Sequence, residues 1–120
     1  MGGREWIIEA YGCDPAALAD LSRLRRLFET IVAGMSLHPI ADATWHQFPG
    51  LAGIAPGGIT GLWLLAESHL ACHTFPEYGT LCLNLFCCRP RPEWDFQAAL
   101  RGAIAAGEVR VRVVDRPYAT

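Results

Sequence analysis

Between Ile59 and Cys88 the chain carries three strand-length apolar runs in quick succession, and nothing else in the sequence constrains the fold as strongly. Residues 59–66, 69–75 and 80–87 each read as a buried strand. Pro76-Glu77-Tyr78-Gly79 makes the turn between the last two. Within 80–88, Leu81, Leu83 and Leu85 share one side, while Cys82, Asn84, Phe86 and Cys88 share the other. If the leucines meet a layer of helices, the Phe86 side needs cover of its own. A second subunit laid sheet against sheet would supply it.

The flanking segments supply the helices. Asp14-Pro15 is an N-cap followed by proline at the first helical position. Leu18, Leu21, Leu24, Phe28, Ile31 and Val32 then recur at three- and four-residue steps, predicting one helix that Gly34 ends. Pro90 and Pro92 break the chain before a second helix, whose face is Phe96, Ala99, Leu100, Ala103 and Ile104 and whose stop is Gly107. Residues 6–11 and 43–48 are further strands, the second a weak one, and 49–58 is a Gly/Pro loop. Val109, Val111 and Val113 alternate with Arg110 and Arg112 in a half-exposed last strand. The expectation is one α+β domain over 1–120, a two-layer α/β sandwich with a mainly antiparallel sheet and two helices on one face.

Composition narrows the partners. The chain is 52% hydrophobic and 18% charged, dry enough to expect that part of its surface is covered by another copy. Ten basic residues face twelve acidic ones, and Arg23, Arg25 and Arg26 form the one dense basic cluster, too little for a nucleic-acid footprint. No apolar run reaches the roughly 18 residues of a membrane span. The first residues lack a signal-peptide core, so a cytoplasmic protein is expected. Five cysteines without a Cys-x-x-Cys spacing suit reduced thiols better than a zinc knuckle or a disulfide framework.

The chemistry concentrates in Ala66-Glu67-Ser68-His69-Leu70-Ala71-Cys72-His73-Thr74-Phe75-Pro76-Glu77, where polar side chains crowd between apolar strands. Three readings stand on physics alone. The serine and histidines can be hydrogen-bonded structural residues. His69, His73 and Glu77 are metal-ligand types, although residues four apart on a strand lie roughly 13 Å apart. Ser68 can be a nucleophile; no Gly-x-Ser-x-Gly elbow surrounds it, and its nearest electrophile is its own preceding carbonyl.

Here the stretch from Glu67 to Gly79 resembles the processing and active-site motif of the prokaryotic S-adenosylmethionine decarboxylase proenzymes. The resemblance continues in Glu9-Ala10-Tyr11-Gly12-Cys13-Asp14, in Gly58-Ile59-Thr60-Gly61 and in Asn84-Leu85-Phe86-Cys87-Cys88. It implies cleavage between Glu67 and Ser68 into a β chain, 1–67, and an α chain, 68–120. Ser68 becomes a covalent pyruvoyl cofactor, which forms a Schiff base with the substrate amine and acts as electron sink. It further implies that His73 and Thr60 assist processing, that Cys88 is the proton donor, and that Glu77, Phe48 and Phe75 contact substrate. The activity implied is a carboxy-lyase supplying polyamine (spermidine) synthesis, working as a homodimer on a small molecule, with no metal, nucleic acid or membrane.

Three positions depart from the family pattern. The usual phenylalanine six residues before the Ser/Thr position is Ile54 here, whereas His46-Gln47-Phe48 lies twelve before Thr60, with 49–55 as an insertion. Asn84 stands in place of aspartate, and Arg89 in place of glycine. These departures leave open a pyruvoyl decarboxylase for another amino acid, such as arginine or ornithine. A non-catalytic paralogue is the reading from a different class; the joint presence of Ser68, His73 and Cys88 speaks against it.

Overall fold

The three apolar runs become adjacent antiparallel strands in the computed structural model, which describes residues 2–119; Met1 and Thr120, the ends of the expected domain, lie outside it. The strands are β1 (Gly2–Tyr11), β2 (Thr44–Gln47), β3 (Ile59–Leu65), β4 (Ser68–Phe75), β5 (Thr80–Cys87) and β6 (Glu108–Pro117). They form a single sheet in the order β2-β3-β4-β5-β1-β6, antiparallel throughout. Helices α1 (Pro15–Leu18), α2 (Leu21–Gly34) and α3 (Phe96–Ile104) cover one face. The architecture is therefore the expected two-layer α+β sandwich.

The helix layer and the inner sheet face share one core. Leu24, Phe28 and Ile31 of α2 and Leu100 and Ile104 of α3 are buried together with Ile8, Leu70, Cys72, Leu81, Leu83 and Leu85. Cys82, Asn84 and Phe86 alternate with the leucines and stay half-buried on the opposite side. Among the described residues no helix lies over that outer face.

Several boundaries differ from expectation: β1 begins at Gly2 rather than Trp6, and β6 runs over Glu108–Pro117 rather than 109–113. The first helix is broken at Ala19-Asp20, because Asp20 acts as a second N-cap, its carboxylate accepting from Arg23 N–H at 3.3 Å. The last helix stops at Ile104 rather than Gly107, since Ala105 takes the left-handed turn (φ 53°) usually left to glycine. Gly79 does act as expected, with φ 65° closing the Pro76–Tyr78 turn.

Candidate active site

β3 and β4 are joined by only two residues, Ala66 and Glu67, with Leu65 paired to Ser68. Two-residue hairpins favour loop residues with positive φ, commonly Asn-Gly. Neither Ala66 nor Glu67 adopts one; Ser68, the next residue, has φ 150°. Serine reaches that region at a cost of about 1–3 kcal/mol, which the surroundings must hold in place. The strain sits at the peptide bond where the family resemblance implies cleavage.

Glu67 is held from both of its polar ends. Its carbonyl oxygen accepts from the Cys88 N–H at 2.7 Å. Its carboxylate is buried and accepts from His38 N–H (2.8 Å), from His38 Nδ1 (2.6 Å) and from Arg91 (3.0 Å). Burial pushes this carboxyl up, but the hydrogen bonds and charge of His38 outweigh burial and hold it below its ordinary value. Ser68, Glu67 and Cys88 thus form one cluster at one end of the sheet. Cys87 continues the Leu81, Leu83 and Leu85 face into the core, and burial pushes its thiol up to about 11.

A second cluster lies at the other end of β3 and β4. Thr60 and His73 are cross-strand partners, and Thr60 Oγ1 is 3.1 Å from His73 Nδ1. They line a cleft of about 510 Å³ with Phe48, Phe75, Glu77 and Tyr78, a size that suits a small-molecule ligand. Phe48 reaches this cleft because the insertion folds outward. Phe48 N–H donates to Gly58 O at 2.8 Å, and the Leu51–Ala55 pair closes the loop on itself. Gly57 permits the pinch, since a Cβ there would lie 1.7 Å from the Phe48 carbonyl oxygen. Ile54, at the family's spacing, is exposed on the loop outside the cleft.

One chain does not bring the two clusters together. Ser68 and His73 are five residues apart on β4, about 16 Å along the strand. The histidine pair also stays divided: His69 Nε2 is 2.8 Å from Asn84 Oδ1, while His73 turns to Thr60. Asn84 also donates to Glu5 (2.7 Å), so an aspartate at 84 would set two carboxylates against each other. Arg89 is exposed, as a solvated arginine would be. Sequence reasoning missed His38 and Arg91; only the burial of the Glu67 carboxylate reveals them.

Residues 4–117 match the profile of the family described as S-adenosylmethionine decarboxylase. The S-adenosylmethionine decarboxylase proenzyme of Parasynechococcus marenigrum (strain WH8102) is 41% identical over 90 residues, 73% of this chain and 63% of that one. That of Moorella thermoacetica (strain ATCC 39073 / JCM 9320) is 30% identical over 117 residues, 95% of this chain and 86% of that one. The chain therefore spans less than two thirds of the first relative's length and most of the second's. The crystal structure of the adenosylmethionine decarboxylase from Aquifex aeolicus VF5 has the same fold, with a TM-score of 0.77 at 24% identity over 99% of this chain and 93% of that one.

Proposed function

The chain belongs to the S-adenosylmethionine decarboxylase family, and we propose that it is a self-cleaving decarboxylase of S-adenosylmethionine. The observation that carries this reading is the strained Ser68 backbone beside a Glu67 carbonyl already held by an N–H donor. Ser68 Oγ attacks the Glu67 carbonyl carbon, and the Cys88 N–H stabilises the oxyanion that forms. The C–N bond breaks, the Oγ proton passes to nitrogen, and the Glu67–Ser68 linkage becomes an ester with its strain relieved. A base then takes the Ser68 α-proton, Cβ–Oγ breaks, and the Glu67 carboxylate leaves. Water hydrolyses the dehydroalanine at 68, releasing ammonia and leaving a pyruvoyl group on 68–120, with 1–67 as the second chain.

The residues fit that group: a serine in strained backbone is its precursor, and Cys88, whose N–H donates to the Glu67 carbonyl, carries a half-buried thiol. The pyruvoyl carbonyl supplies an electron sink for loss of CO₂. Cys88 Sγ delivers the proton to the α-carbon afterwards. Glu77 accepts from the ribose hydroxyls, and Phe48 offers its ring to the adenine at the same cleft.

Thr60 and His73, which the resemblance assigns to processing, lie about 16 Å from Ser68 within one chain. A second copy of the chain, laid on the uncovered sheet face, brings its Thr60–His73 end to the first copy's Ser68. The exposed Leu62 and Leu64 of that face favour such cover.

Intact mass of the purified protein tests the reading. Two fragments divided at 67/68 are expected, with a carbonyl on the larger-numbered one that a hydrazine reagent titrates. CO₂ release is expected from S-adenosylmethionine and not from arginine or ornithine. A folded chain that stays whole, or turnover of the other amino acids alone, overturns it.

A further inference from the structure

Glu67 receives more polar contacts than a turn residue needs, and they come from two separate segments of the chain. From one side, the backbone at His38 runs beside it: Ala66 N–H donates to His38 O (2.7 Å), while His38 N–H and Nδ1 donate to the two carboxylate oxygens. From the other side comes the segment after β5. There Cys88 N–H holds the Glu67 carbonyl, and Arg91 holds its carboxylate at 3.0 Å. That segment is stiff, because Pro90 and Pro92 flank Arg91 and Tyr118 Oη donates to Cys88 O at 2.9 Å. Arg91 is mostly buried, its side chain 17% exposed against the buried Glu67 carboxylate.

We propose that His38 and Arg91 are positioning residues for self-cleavage, clamping Glu67 from two sides so that the strained linkage to Ser68 stays in the geometry Oγ attacks. The proposal rests on the self-cleavage reading and adds to it two residues that the family resemblance does not assign. Without the clamp, the Ala66-Glu67 loop rotates, Ser68 relaxes to an ordinary extended φ, and the carbonyl carbon leaves the path of Oγ. The clamp acts before the ester forms, because the ester has no amide plane left to hold.

The test follows cleavage of freshly synthesised chains by mass, with circular dichroism to confirm folding. Arg91→Ala is expected to slow cleavage about tenfold or more, the loss of one charge-assisted hydrogen bond made in the reacting geometry, and Arg91→Lys to recover most of it. Neutral hydroxylamine, which splits esters, should not cut the stalled Arg91→Ala chain, since its block precedes the acyl shift. Cleavage of Arg91→Ala at the wild-type rate overturns the clamp, and so does a hydroxylamine-sensitive ester accumulating in it. Should Arg91→Ala fail to fold, His38→Ala takes its place. That variant keeps the backbone N–H contact and loses only the Nδ1 one, and an unslowed His38→Ala is equally fatal. A wild-type chain that stays whole removes the self-cleavage reading itself, whereas a wild-type chain that cuts no faster than Arg91→Ala removes the clamp alone.

Discussion

Ser68 takes a backbone angle that glycine would adopt without strain, but glycine has no Oγ, so under the proposed function the position trades local stability for a nucleophile. Ser68→Ala keeps the fold and should remain one uncut chain by mass. Cys88→Ala is a different case. The donor to the Glu67 carbonyl is the backbone N–H of residue 88, which alanine retains. Cleavage should continue while decarboxylation falls by about 10²–10⁴-fold, the usual contribution of a positioned proton donor. Full turnover by cleaved Cys88→Ala would remove it as that donor. Glu67 makes stability depend on acid. Its folded pKa lies below the ordinary 4.5, so between the two values the unfolded chain binds more protons and stability rises with pH. The contribution is whole above the ordinary value and lost as pH falls through the lowered one. In a Ser68→Ala background, the gap in thermal midpoint between Glu67 and Glu67→Gln chains should close as pH falls from above the ordinary carboxylate value through the lowered one. A gap that widens with acid would contradict the assignment. The proposed cut site could be read from the sequence because Glu67 and Ser68 are adjacent and His73 follows five residues on, a recognisable spacing. The clamp was not, since His38 and Arg91 lie 29 and 24 residues from Glu67 and no periodicity links them.

Strand and helix periodicity made the elements readable, whereas the junctions that orient the cleft had to be seen in three dimensions. Thr74 is one such junction. Its Oγ1 donates to Leu18 O at the end of α1 and accepts from Ile59 N–H at the start of β3, both at 2.8 Å and buried. Thr74→Val preserves shape and β-propensity but strands both backbone groups. It should cost about 1–3 kcal/mol in denaturant unfolding, with an unchanged midpoint refuting the junction. The break at Asp20 escaped sequence reasoning for a related reason: the apolar stripe runs on through it, and only the capping geometry separates α1 from α2. The insertion was legible as a loop, but not its outward path, which depends on the pinch between Phe48 and Gly58. Gly57→Ala would drive a Cβ into the Phe48 carbonyl and displace that ring. KM for S-adenosylmethionine should then rise about two- to tenfold, the worth of one aromatic contact, with cleavage at 67/68 unaltered. An unchanged KM would take Phe48 out of the substrate cleft.

At the scale of the whole molecule, the sheet divides the chemistry between its two ends and leaves an uncovered face between them. Leu62, Leu64 and Val114 are exposed on that face, with Ile7 and Phe86 half-buried beside them. In the proposed pairing, a twofold pair of such faces would set each copy's Ser68 end over the other's His73 end, giving two sites, each with residues from both chains. Such sharing has a consequence that a self-sufficient chain could not reproduce. Ser68→Ala lacks the nucleophile and His73→Ala lacks the elimination base, so each alone forms two defective sites. A mixed dimer of the two has one site with Ser68 from the His73→Ala chain and His73 from the Ser68→Ala chain, while its other site lacks both. Refolding the variants together at equal concentration should therefore cut about half of the His73→Ala chains and none of the Ser68→Ala chains. Mass spectrometry distinguishes the two by their substitutions. No cutting in the mixture would mean that His73 serves its own chain or none, and the division of the site between copies would be wrong.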